Sequence, residues 1–323
     1  MLKYSIRRLL AAIPVLIVAS FIVFWAVRTT FDPTAKLRQN RDAARAIAEM
    51  RERLGLDDPI IVQWWNWFTA FVRGDWGESS RTGESVFDMT TRALGNTSQL
   101  IVWGVLVAAA VAVFVGVFSA VRQYSVADYT FTGLSYLGLA MPPFWFGLIA
   151  IQFLAIWPKD TFGLSEPPFY FIGLHSDSTG GFDLDYARHL VLPVLVLTVQ
   201  IIASWSRFQR AAMLDVLGSD YVRTARSKGL RERTVIFKHA LRNALIPLVT
   251  IMAVDAGALF GGLIITETIF SIPGMGSLFI VSLQQGDVNA VMAWMMVAGG
   301  FIILFNLLAD LAYSVLDPRI RLT

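Results

Sequence analysis

The sequence predicts an all-α polytopic membrane protein with six transmembrane helices. Three observations carry that reading. Of its 323 residues 55% are hydrophobic and 16% charged, with mean hydropathy +0.58; a soluble domain carries about 25% charged residues, so lipid is the expected solvent. Six stretches are apolar over the roughly 20 residues that a helix needs to cross a hydrocarbon core. Ten Trp and 23 Phe suit the aromatic belts of a membrane protein.

The six spans are expected at Leu9–Val27, Gln99–Val121, Phe131–Trp157, His189–Leu217, Ala244–Phe270 and Ala290–Leu316. The chain divides accordingly into an N-terminal helix (1–30), an extracytoplasmic loop domain (31–98), a membrane core (99–316) with a basic loop at 218–243, and a tail (317–323). The first span follows a basic start, as in a signal peptide. Its apolar run continues through Phe21–Val27, beyond the typical 7–15 residues of such a segment, and predicts a retained anchor. Pro142-Pro143 should kink the third span and free a carbonyl. The fourth turns polar at Ser204–Arg210, so its last turns should project into the cytoplasm. Gly257, Gly261 and Gly262 on the fifth, with Gly299 and Gly300 on the sixth, favour close helix–helix approach.

The loop domain should be folded and helical. Asp32-Pro33 opens an amphipathic helix that Gly55 stops, with Leu37, Ala44, Ile47 and Ala48 as its apolar stripe and Glu49–Arg53 as an i,i+4 pair. Asp58-Pro59 opens a second helix ended by Gly74. Its interior, IIVQWWNWFTAFVR, is nearly all apolar yet too short to span. It should lie at the outer interface or pack on the bundle, and a docking surface for an external partner is the sharper alternative. The connection 158–188 reads as irregular loop, and 271–289 as a turn around Pro273-Gly274-Met275-Gly276.

Basic residues set the orientation. With the N-terminus inside, the short inner segments carry 15 Lys/Arg and the short outer ones only Lys159 and Arg188, so both termini and the basic loop are expected in the cytoplasm. The long outer loop holds ten basic and ten acidic residues, and loops of that length translocate regardless of charge. The pI near 9.3 points to anionic lipid rather than nucleic acid.

Several chemistries are excluded. There is no Cys, hence no disulfide, Fe–S cluster or thiol catalysis. No G-x-x-x-x-G-K-[ST] phosphate loop, G-x-S-x-G elbow or H-E-x-x-H motif occurs, and the three histidines are far apart. No catalytic, cofactor or metal residue is expected. Three acids do fall within apolar helices, where each costs roughly 2.5–3.5 kcal/mol unless it faces protein or water. Asp255 sits near the midplane and is either a polar group of a translocation path or a hydrogen bond between helices. Glu267 and Phe270 lie near the outer end and complete the candidate path residues. Asp310, near the inner end, is expected to pair with Arg207 or Arg210.

The basic loop reads GSDYVRTARSKGLRERTVIFKHALRN from Gly218 to Asn243, with eight Lys, Arg or His among residues 223–243. Gly218 closes the preceding helix, Ser219 is an N-cap, and Gly229 ends a short helix Asp220–Lys228 in a left-handed conformation. A second helix follows from about Arg231. Tyr221, Val222 and Ala225 share one side and Arg223 and Arg226 another. Local chemistry alone leaves open whether this is an ordinary solvated loop or a segment that carries force to an aqueous partner.

Four stretches together resemble the inner-membrane permease subunits of ATP-binding cassette importers for di- and oligopeptides, a group that includes nickel and glutathione permeases. They are YSIRRLLAAIPVLIVASFIVF; RLGLDDPIIVQWW with RGDWGESSRTGESV; SDYVRTARSKGLRERTVIFKHALRNALIPLVT; and GGLIITETIFSIPGMGSL. The resemblance implies a type I importer fold, with the first helix and outer loop as additions to the shared core. It also implies that the basic loop is the EAA motif, aligned on Gly229. Arg223-Thr224-Ala225 stand where the broader pattern has Glu-Ala-Ala, and His239-Ala240-Leu241-Arg242 where it has Ile-x-Leu-Pro. In such permeases this segment is a coupling helix seated in a cleft of the ATPase. Tyr221, Val222, Arg223, Thr224, Ala225, Gly229 and Leu230 are the implied coupling residues, with the contact expected on the apolar side made by Tyr221, Val222 and Ala225. The implied partners are a second similar permease, two P-loop ATPase subunits (or one fused) that bind ATP and Mg, an extracytoplasmic substrate-binding protein, membrane lipid and the peptide itself. A secondary transporter or a membrane-anchored receptor is the rival from another class. Neither predicts a stoichiometric ATPase pair.

Overall fold

A computed structural model describes residues 2–32, 34, 42–176 and 181–316. Its elements are α1 (Leu2–Thr30), α2 (Ala43–Leu54), α3 (Ile60–Val72), α4 (Val86–Val121), α5 (Val126–Ala140), α6 (Pro143–Phe162), α7 (Leu184–Leu217), α8 (Asp220–Ser227), α9 (Glu232–Leu259), α10 (Ile264–Ile269), α11 (Met275–Gln284) and α12 (Val288–Leu316). Five of them, α1, α4, α7, α9 and α12, are long and apolar enough to cross a membrane, and α5 with α6 makes a sixth span that is bent by 104°. Polar side chains set several starts. Ser85, Ser125 and Asp183 accept from the backbone N–H three residues on, capping α4, α5 and α7.

The long helices α4 and α7 pack along each other and form the spine, with Leu100, Leu192, Leu197, Ala108 and Trp205 buried between them and their neighbours. The α9–α12 pair packs beside it. A Cβ added at Gly257 would stand 2.6 Å from Phe305 Cβ, so glycine there sets the close approach of these two helices. α1 leans on α12 at the edge of the bundle, and α3 lies over its far end. Trp64 of α3 buries against Phe21 and Phe24 and donates its indole N–H to Ser20 Oγ at 3.1 Å. The apolar interior of α3 is thus explained by packing on the bundle, while Ile61 and Trp65 stay exposed on its other side.

Several expectations change. The third span is broken rather than kinked. α5 ends at Ala140, and the side-chain amide of Gln200 donates to the freed carbonyls of Gly138 (3.2 Å) and Met141 (2.9 Å). The fifth span stops at Leu259, not Phe270, because the chain turns through Gly261 and Gly262, the latter at φ +109°. In the other direction the same helix begins at Glu232, so the second helix of the basic loop runs straight into the span through a π-helical turn at Val235–Ala240. α4 begins at Val86, well before Gln99, and α11 occupies what reads as a turn.

Asp310 pairs with neither Arg207 nor Arg210. It accepts from Tyr4 OH at 2.7 Å and forms an ion pair with Arg8. Arg210 is instead taken by buried Asp128, through two bonds of 2.9 and 2.8 Å, and Arg207 stacks on Tyr136. Glu49 pairs with Arg45 at 2.8 Å. The helix start at Pro33, Leu37, the Arg53 side chain and the tail 317–323 lie outside the described residues.

Candidate functional site

The basic segment projects from the end of α7 as a helical hairpin with a packed inner side and an open outer side. α7 stops at Leu217. Ser219 occupies the N-cap position of α8, but its hydroxyl donates back to Val216 O rather than to the new helix. After Lys228 the chain reverses at Gly229, at φ +73°, where L side chains rarely sit. Arg226 reaches across the reversal to Glu232 at 2.8 Å, and that hydrogen bond holds its guanidinium above its ordinary pKa. Asn243 of α9 donates to Tyr221 OH at 2.8 Å and ties the hairpin to the span.

Burial divides the expected coupling residues into two sets. Val222 and Ala225 are buried against Met213, Val235, Ile236, Ala240 and Ala244, with Val117 and Ala120 of α4 completing the cluster. Arg223, Thr224, Gly229 and Leu230 are exposed, and Tyr221 is 45% exposed. The apolar side made by Val222 and Ala225 therefore faces this chain's own spans. A short helix with a two-residue apolar stripe buries it on the nearest apolar wall, which α7 and α9 supply. What remains for an outside contact is the polar side with Tyr221 and the Gly229-Leu230 turn. A Cβ built at Gly229 meets nothing within 4 Å.

The three candidate path residues are not gathered around one cavity. Asp255 on α9 accepts from the Trp205 indole N–H of α7 at 2.7 Å, a hydrogen bond between helices. Glu267 is fully buried at the opposite end of the bundle. It accepts from Thr97 Oγ1 (2.7 Å), Leu263 N (3.2 Å) and Ser277 N (2.8 Å). Phe270 is also fully buried, in the cluster with Leu100, Leu192 and Ile272, and its carbonyl accepts from Gly173 N at 2.8 Å. The pattern that could have flagged this role for Glu267 is its place three residues before Phe270 and seven before Gly274, beside a polar Thr97 on α4. Sequence alone does not show that these meet.

Comparison with known proteins agrees with this architecture. Residues 112–322 match the family described as binding-protein-dependent transport system inner membrane component, and residues 1–107 match the N-terminal component of the same system. The chain belongs to this family. It is a multi-pass inner-membrane protein of the ATP-binding cassette permease class. Among curated relatives, an oligopeptide transport system permease protein of Bacillus subtilis (strain 168) is 38% identical over 325 residues, spanning 99% of this chain and 100% of the relative. A dipeptide transport system permease protein of Escherichia coli (strain K12) is 35% identical over 336 residues, spanning 99% of each. An oligopeptide transport system permease protein of Mycobacterium tuberculosis (strain H37Rv) is 36% identical over 329 residues, all of both chains.

Proposed function

We propose that this chain is the membrane-spanning permease subunit of an ATP-driven importer of di- or oligopeptides. It works by alternating access with a second similar permease, a pair of P-loop ATPase subunits that hold ATP and Mg, and an extracytoplasmic binding protein. The basic hairpin and both termini lie in the cytoplasm, and the loop domain lies outside. Peptide cargo is favoured by the full-length relatives, whose names specify oligopeptide or dipeptide transport.

The observation that carries the coupling role is the two-sided build of α8. Its inner side is packed on α4, α7 and α9, so a displacement of the hairpin is transmitted to three spans. Its outer side offers Tyr221, Arg223, Thr224 and Leu230 to a partner. ATP binding drives the cycle only through different contacts with the two states, and a lever rigidly joined to the spans converts one into the other.

Gly229→Trp tests it. A Cβ built at Gly229 meets nothing and the turn is exposed, so the main cost to this chain is the strain of a left-handed residue, about 1–2 kcal/mol. Membrane insertion should be unchanged, while ATP hydrolysis by the assembled complex should no longer produce uptake. Uptake at the wild-type rate would refute the coupling role.

A further inference from the structure

Glu267 does not behave as the wall of a path. Every group facing its carboxylate is a donor: the Thr97 hydroxyl from α4, the Leu263 N–H from the break after α9, and the Ser277 N–H from the first turn of α11. Thr97 Oγ1 in turn accepts from Met275 N at 2.8 Å, and Asn96 donates to Pro273 O at 3.0 Å. The packing leaves no slack. A Cβ at Gly274 would stand 2.5 Å from the Glu267 carboxyl carbon and from Thr97 Oγ1, and one at Gly262 would stand 2.2 Å from Gly276 N. One buried side chain thus joins α10, the start of α11 and α4.

From this geometry we infer that Glu267 is a positioning residue for transport: it locks the α10–α11 hairpin to α4 throughout the cycle. The hairpin and α4 then move as one body. That part of the inference rests on the alternating-access reading above, while the lock itself does not. A glutamine at 267 would set its amide N–H₂ against the Ser277 N–H or, with the amide turned over, against the Leu263 N–H, neither of which can accept, so the near-isosteric change breaks the lock.

The test uses the full chain, which has no cysteine of its own. Asn96→Cys with Pro273→Cys places one thiol on α4 and one at the head of the hairpin, and a short bis-maleimide joins them. In the chain alone, with no ATPase or peptide, Glu267→Gln should lower the cross-linking yield several-fold. An unchanged yield would overturn the lock. In the assembled complex, joining the two thiols should leave ATP-dependent uptake at its level before cross-linking, and loss of uptake on cross-linking would overturn the claim of a single moving body. Thr97→Val should cut maximal uptake about ten-fold with half-saturation by peptide unchanged, and Thr97→Ser, which keeps the hydroxyl, should restore it. Thr97→Val without that loss would also count against the lock. Failure of the importer reading appears separately, as absence of ATP-dependent uptake in the wild type with the yield difference intact.

Discussion

The two ends of this molecule solve opposite problems with the same residue types. At the basic end, Gly229 turns the chain in open space, and charged residues Arg223, Arg226 and Lys228 lie exposed around it. At the opposite end, Gly262, Gly274 and Gly276 sit where a methyl group would collide, and Glu267 is withdrawn entirely from solvent. Glycine makes an open turn in one place and a tight seam in the other. Charge is on offer in one place and internally satisfied in the other. The basic end leaves its polar groups open around the turn, and the far end satisfies its own.

The largest effect should come from the seam. Gly274→Ala drives a Cβ into Glu267 and Thr97, and overpacking with loss of their hydrogen bonds should cost about 3 kcal/mol, seen as a lowered unfolding temperature in detergent. The smallest should come from the Asp310 pair. Its partners Tyr4 and Arg8 are partly exposed, so Asp310→Asn should change stability by less than about 1 kcal/mol and leave assembly intact, measured by the same unfolding and by copurification with the ATPase. A Gly274→Ala protein as stable as the wild type would remove the contrast between the two ends.

Residue pattern alone reveals the bundle and the basic hairpin but not the far end, for physical reasons. Span length and charge are local properties, and so are the helix stop at Gly229 and the break at Pro142-Pro143. The Glu267 seam is not local: Thr97 lies 170 residues away in sequence from its partner. Read by hydropathy alone, an acid in an apolar helix has the same signature whether it lines a path, as considered for Asp255 and Glu267, or satisfies neighbours. Phe260–Ile265 carries no polar side chain across the turn at Gly262, so hydropathy alone runs the fifth span on past Leu259. Of the apolar side expected to meet a partner, Tyr221 stays exposed while Val222 and Ala225 are covered by this chain's own spans. Val222 and Ala225 are apolar because α7 and α9 cover them, a fact visible only once the hairpin is folded.

That division of α8 supplies the most direct test of the coupling account. Leu230→Cys and Ala225→Cys each give the chain a single thiol, the first on the exposed turn and the second on the buried side of α8. In membranes containing the assembled complex, a thiol-to-amine cross-linker should join Leu230→Cys to the ATPase subunit and leave Ala225→Cys unjoined. Cross-linking through Ala225→Cys with none through Leu230→Cys would contradict the account.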